Sequence, residues 1–190
     1  IFKIPSYSFN LFIKLFLSKI QKKLTMTNSS PSRGFPQSEF EQRTLKVQRM
    51  MTEKKLDAVL LTTEPNVRYF SGFLTQFWQS PTRPWFLIVP REGNPLAVIP
   101  EIGLAGMEST WVKDIRTWTS PCPEDDGISL LAQALNEVKT RFGRLGLMLG
   151  QESQMRMPAD NFKLLIEKIS PIEIVDFALN MHRLKKIKST

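Results

Sequence analysis

A chain of 190 residues, 42% apolar and 23% charged, is long enough for one domain with a sizeable core plus an appendage, and too apolar to be disordered. The single cysteine, Cys122, excludes an internal disulfide and fits a reducing compartment, so a cytoplasmic location is expected. The net charge of +8 is uneven: residues 1–25 hold five lysines and no acid, and subtracting them leaves about +3, ordinary for a globular domain and no mark of nucleic-acid binding.

The chain begins at Ile1, and its first stretch, IFKIPSYSFNLFIKLFLSKIQKKL, is apolar and basic. Lys14 interrupts the apolar run, which leaves it too short and too charged to span a bilayer. Translation from Met26, with residues 1–25 as translated upstream sequence, is the expectation; an amphipathic membrane-surface helix is the alternative. TNSSPSRGFPQ then reads as a disordered leader, so residues 1–37 are set apart from the domain.

Order is expected from Ser38. SEFE has the form of a capping box, Ser38 capping and Glu41 reaching back, and Phe40, Val47 and Met51 follow at roughly helical spacing, with Lys54 and Lys55 in the last turn. LDAVLLTT predicts a short buried strand. EPNVRYFSG predicts a loop and short helix stopping at Gly72, with Asn66 tolerating a turn. PWFLIVP, bracketed by prolines, reads as a strand covered on both faces, with Trp85 and Phe86 in the core. The turn REGNP and the run LAVIP complete a hairpin.

EIGLAGMES predicts a short helix and VKDIRTW a strand. Ile128, Leu131, Leu135, Val138 and Phe142 then recur at spacings of three and four, the pattern of a helix ended by Gly143, with Asp125 or Asp126 as its N-cap. RLGLMLG is a strand. PADNFKLLIEKI is a helix with Pro158 at its first position and Phe162, Leu165 and Ile169 on one face. IEIVD is the last strand and FALNMHRLKKIKS the last helix. The fold class is therefore α/β, a mixed central sheet with helices on both faces.

The chemistry is sparse. No Walker loop, dinucleotide turn, HExxH or CxxC is present, and Gly143, Gly146 and Gly150 are too scattered for a phosphate cradle. His182 is the one histidine and reads as an ordinary helix residue. Cys122, between Pro121 and Pro123, reads as a loop thiol. No catalytic or metal-ligating residue is therefore assigned.

Three segments in register resemble the N-terminal domain of the creatinase, prolidase and Xaa-Pro aminopeptidase family, the pita-bread metallohydrolases. LDAVLLTTEPNVRYFSGF is similar to that family's early strand and its Asn-x-x-Tyr-x-Ser/Thr-Gly-Phe/Tyr turn. RPWFLIVPREGNPLAVIP resembles its hairpin, and MHRLKKIKS its Arg-x-x-Lys-Ser/Thr helix leading to a second domain. The resemblance runs from about Phe40 to Thr190 and implies a ribonuclease H-like domain at residues 38–176, with the start of a linker helix at 177–190.

It further implies an Xaa-Pro aminopeptidase-like hydrolase acting on a peptide or small amide. Two divalent metals (Mn, Co or Zn) would be held by two Asp, one His and two Glu of a C-terminal domain beyond these residues, and the full-length protein would be a homodimer. Tyr69, Phe73, Trp78 and Arg83 are the residues expected at a substrate pocket or dimer contact. Creatinase-, ectoine hydrolase- or dimethylsulfoniopropionate lyase-like members share the pattern, and a stand-alone interaction domain is the other reading.

Overall fold

The computed structural model describes residues 34–80 and 83–187. Expectations that fall on residues 1–33, among them the Met26 start and the membrane-surface helix, lie outside the described residues. Elements run in the order α1 (Gln37–Lys54), β1 (Ala58–Leu61), α2 (Glu64–Ser71), β2 (Phe86–Pro90), β3 (Leu96–Pro100), α3 (Leu104–Glu108), β4 (Asp114–Trp118), α4 (Ile128–Asn136), β5 (Arg144–Leu147), α5 (Ala159–Ile169), β6 (Glu173–Asp176) and α6 (Ala178–Lys186). Helix and strand alternate in the order the hydrophobic periodicity predicts. Short 3-10 turns at Gln76–Gln79 and Glu101–Gly103 are added.

The strands form one six-stranded sheet in the order β4-β3-β2-β1-β5-β6. β2 is antiparallel to β1 and to β3, with Leu61 opposite Leu87 and Phe86 opposite Val98. β3–β4, β1–β5 and β5–β6 are parallel. Only β2 runs against the rest, because the REGNP turn reverses the chain between β2 and β3 while helices carry the other β3–β4, β4–β5 and β5–β6 crossovers.

Side chains alternate across a strand, so each apolar run supplies two cores. Val59, Leu61, Leu87, Val89, Ala97 and Ile99 face one side, with Val47 and Met51 of α1, Val67 and Phe70 of α2, Met107 of α3, and Met181 and Leu184 of α6. Ala58, Leu60, Phe86, Ile88, Val98, Leu145 and Leu147 face the other, with Leu131 and Leu135 of α4 and Leu165 and Ile169 of α5. Burying a Leu, Ile, Val or Phe side chain stabilises by roughly 1.5–3 kcal/mol, which is why strands covered on both sides carry continuous apolar runs.

Local expectations depart from the structure where a distant group intervenes. α1 starts one residue before Ser38: Pro36 holds extended backbone (φ −67, ψ 156) and no side chain caps the helix. Ser38 therefore lies in the first turn, and Glu41 accepts a hydrogen bond from Gln37 Nε2 at 2.8 Å instead of closing a capping box.

α4 ends at Asn136, well before Gly143. The chain leaves the helix because the Asp57 carboxylate, just before β1, accepts the backbone N–H groups of Arg141 (2.8 Å), Phe142 (2.9 Å), Gly143 (2.6 Å) and Arg144 (3.3 Å). Four converging N–H groups satisfy a buried carboxylate better than helical carbonyls could satisfy those donors. Gly143, at φ +68, makes the turn into β5.

Pro158 is the residue before α5, and its carbonyl accepts the N–H of Phe162. The N-terminus of α4 follows the expected pattern in a displaced form. Gly127 occupies the cap position at φ +79, and Asp125 Oδ1 accepts the Ser129 N–H at 3.0 Å.

Candidate functional site

Two connections leave neighbouring strands in opposite directions. From β1 the chain passes through α2 toward β2, and from β5 through α5 toward β6, while β1 and β5 pair in parallel. The carboxyl ends of β1 and β5 thus bound a crevice of the kind where open α/β sheets bind ligands. Around it lie Thr63 and α2, the loop after β5, and α6.

The loop between α2 and β2 is anchored by aromatic rings. Gly72, at φ +74, ends α2 and turns the chain so that Phe73 enters the core. Phe73, Trp78 and Trp85 form a triangle with centroid separations of 6.5, 5.4 and 5.7 Å. Trp85 and Phe73 are 0% and 1% exposed and lie in the core, while Trp78 lines an opening. Gly103 is required here, since a Cβ on it would sit 2.2 Å from the Trp85 ring.

Arg156, from the loop after β5, closes this corner. Its Nη1 donates to the Arg83 carbonyl at 2.6 Å, Nη2 donates to the Ser80 carbonyl, and its own N–H donates to Thr62 Oγ1 at 3.1 Å. The guanidinium lies 5.5 Å from the Trp78 ring centre. Burial pushes the Arg156 guanidinium below its ordinary value, though a guanidinium stays charged at any ordinary pH. With Thr63, Glu64, Trp78 and Gln154 it surrounds an opening of about 490 Å³.

The four residues expected from the sequence are therefore divided. Phe73 and Trp78 meet in one cluster, and Arg83 stands beside it with its guanidinium 5.5 Å from the Phe77 ring centre. Tyr69 faces away, into a separate groove of about 460 Å³ between α1, α2 and α6. There Arg43 lies 4.5 Å over the Tyr69 ring and 4.3 Å over that of Phe35, donates to the Tyr69 carbonyl at 3.0 Å, and pairs with Glu39 at 2.9 Å. Burial raises the Tyr69 hydroxyl above its ordinary 10.0 against the pull of Arg43.

Arg156, Arg43 and Asp57 were not singled out by sequence reasoning. Each is a lone polar residue in an unremarkable local pattern, and its partners lie far along the chain. Among the described residues no group of three or more His, Cys, Asp or Glu could hold a metal ion. No helix among them is long and apolar enough to cross a membrane. His182 lines an opening beside the crevice and, among the described residues, belongs to no group of three or more ligating side chains.

A family profile described as the Creatinase/Prolidase N-terminal domain matches residues 43–185. No curated protein matches the sequence. Among solved structures, dipeptidase PepE from Mycobacterium ulcerans superposes with a TM-score of 0.60 at 21% identity, over 82% of this chain and 39% of that one. A prolidase from Thermococcus sibiricus gives 0.62 at 19% identity, over 79% and 38% of the two chains. A proline dipeptidase from Streptococcus pneumoniae gives 0.61 at 16% identity, over 76% of this chain and 98% of the solved one. The chain thus spans well under half the length of PepE and of that prolidase. The profile runs from within α1 to within α6 and the six-stranded sheet is shared with these structures, so the chain belongs to the creatinase/prolidase N-terminal domain family.

Proposed function

We propose that this chain is the non-catalytic N-terminal domain of an Xaa-Pro aminopeptidase-like, metal-dependent hydrolase, and that it contributes to dimerisation and to shaping the active site. The observation that carries the reading is the profile match across residues 43–185 in a chain that spans only 39% of PepE. The substrate class is peptides, in line with relatives described as dipeptidases, prolidases and an Xaa-Pro aminopeptidase from Streptococcus pyogenes. A cytoplasmic location accords with a Mycobacterium tuberculosis relative described as a cytoplasmic peptidase.

The two divalent metals of such an enzyme do not fit these residues, because the described part has no cluster of ligating side chains. They belong to a second domain of the full-length enzyme. Trp78, with Arg83 and Arg156 holding its loop, is the part of this domain that meets substrate or the second subunit. Tyr69 and Phe73 act through packing, since one lies under Arg43 and the other in the core.

The test is an assay of the 190-residue chain with an Xaa-Pro dipeptide and added Mn²⁺. No metal-stimulated cleavage is expected, and measurable turnover would refute the reading. Sequencing the reading frame after the Thr190 codon is the companion test: an Asp, Asp, His, Glu, Glu set is expected there, and a continuing frame without one would count against a hydrolase.

A further inference from the structure

Beside the β1–β5 crevice lies a second opening, of about 370 Å³. Three elements place polar groups around it. α2 brings Asn66, the loop after β5 brings Glu152, and α6 brings His182 and Lys185, three residues apart and so on one helix face. Met148 and Met181, both buried, supply apolar lining that adapts to a guest's shape.

Lys185 is unusual among the lysines. Its side chain is half-buried, and its ammonium donates to the side-chain oxygen of Asn66, a neutral amide that is itself 8% exposed. No ion pair among the described residues includes Lys185. Burial accordingly lowers the pKa of its ammonium. A desolvated cation answered only by an amide gains strongly from a carboxylate brought to it.

Glu152 lines the same opening and is likewise outside every ion pair among the described residues. Its backbone sits at φ +55, a left-handed conformation that a non-glycine residue rarely adopts. The other non-glycine residue at positive φ among the described residues, Lys55, is accounted for as the C-cap of α1, whereas Glu152 is the cap of none of the described helices. Strain of this kind is maintained where the surroundings demand it and collects at ligand sites.

We propose that this opening binds the zwitterionic head of an α-amino acid, with its carboxylate on Lys185 and His182, its ammonium on Glu152, and its side chain over Met148 and Met181. A phosphate would meet repulsion from Glu152. A simple carboxylate would answer Lys185 and leave Glu152 with no partner. The proposal does not rest on the hydrolase reading, because every group it invokes belongs to this chain.

The test is a ¹⁵N NMR titration of the 190-residue chain with L-valine up to about 20 mM, with L-valinamide and 3-methylbutanoate as matched probes lacking the carboxylate or the amine. Saturable shifts at the amides of Asn66, Glu152 and Lys185 are expected with L-valine, and binding at least about tenfold weaker with either probe. Lys185→Met is expected to abolish the shifts. Glu152→Gln, at an exposed position that leaves the core intact, is expected to weaken L-valine about tenfold and decides the matter if Lys185→Met does not fold. Absence of saturable shifts, L-valinamide or 3-methylbutanoate binding as well as L-valine, or an unchanged affinity in Glu152→Gln would each overturn the proposal.

Discussion

Replacing Asp57 by Asn is the sharpest test of how the sheet is tied together. The side chain is buried, with the residue 4% exposed, and both carboxylate oxygens are used. Oδ1 accepts from Arg141 N–H at 2.8 Å, Oδ2 accepts from Phe142 and Gly143 N–H at 2.9 and 2.6 Å, and the Arg91 guanidinium lies 3.7 Å away. Asparagine keeps the shape but turns one acceptor into a donor aimed at backbone N–H groups, and it removes the charge facing Arg91. A hydrogen bond to a charged group contributes about 1.5–3 kcal/mol, and stranding buried donors costs a similar amount. Losing two such bonds gives an expected destabilisation of about 3–6 kcal/mol, a large share of the 5–15 kcal/mol typical of a domain.

Urea unfolding should show this as a lower midpoint at unchanged m-value. Burial works to raise the Asp57 pKa, and the converging N–H groups outweigh it, so the folded value lies below the ordinary 3.8. A depressed folded pKa contributes stability above the unfolded value and loses it as pH falls through the folded one. The gap between wild type and Asp57→Asn should therefore be constant near neutral pH and narrow below about pH 4. A variant within about 1 kcal/mol of wild type at pH 7 would refute the argument that this carboxylate holds β1 to the 141–144 turn.

Two further substitutions probe close approaches and burial. A Cβ at Gly146 would lie 2.9 Å from Leu56 Cδ1, 3.1 Å from Val59 Cγ2 and 3.2 Å from Phe177 Cβ, so Gly146→Ala is expected to cost about 1–3 kcal/mol. A thermal melt should show a drop of roughly 2–4 °C per kcal/mol, and an unchanged Tm would mean that Leu56, Val59 and Phe177 do not close over Gly146 as described. Of the two tyrosines in the sequence, Tyr69 should ionise above its ordinary 10.0 because burial opposes the phenolate. Ultraviolet titration should show a late phase that disappears in Tyr69→Phe, and a wild type with no late phase would contradict the half-buried placement of Tyr69.

The order and kind of the elements were legible because they follow from neighbours in the chain. Apolar runs such as FLIVP and LAVIP are buried on both faces, and the 3-4 spacing of Ile128, Leu131 and Leu135 forms one side of α4. Glycines at Gly72 and Gly143 mark turns that require positive φ. The family pattern was legible for the same reason, being made of short contiguous motifs. Helix ends were less so. The periodicity through Val138 and Phe142 extends α4 on paper, yet the backbone there is drawn away by Asp57, 84 residues from Arg141 in sequence.

The candidate site was legible only in part. The aromatic-rich segment around Trp78 does border an opening, but nothing local to RYFSGF tells that Tyr69 turns to Arg43 while Phe73 turns to Trp85. Arg156 and Lys185 gain their character from burial and from carbonyl or amide partners 73 to 119 residues away. Sequence by itself therefore determined what each segment is, since helical and strand periodicity is a property of adjacent residues. The tertiary structure alone decided which polar groups meet, because a charge is placed by the distant surfaces that bury it.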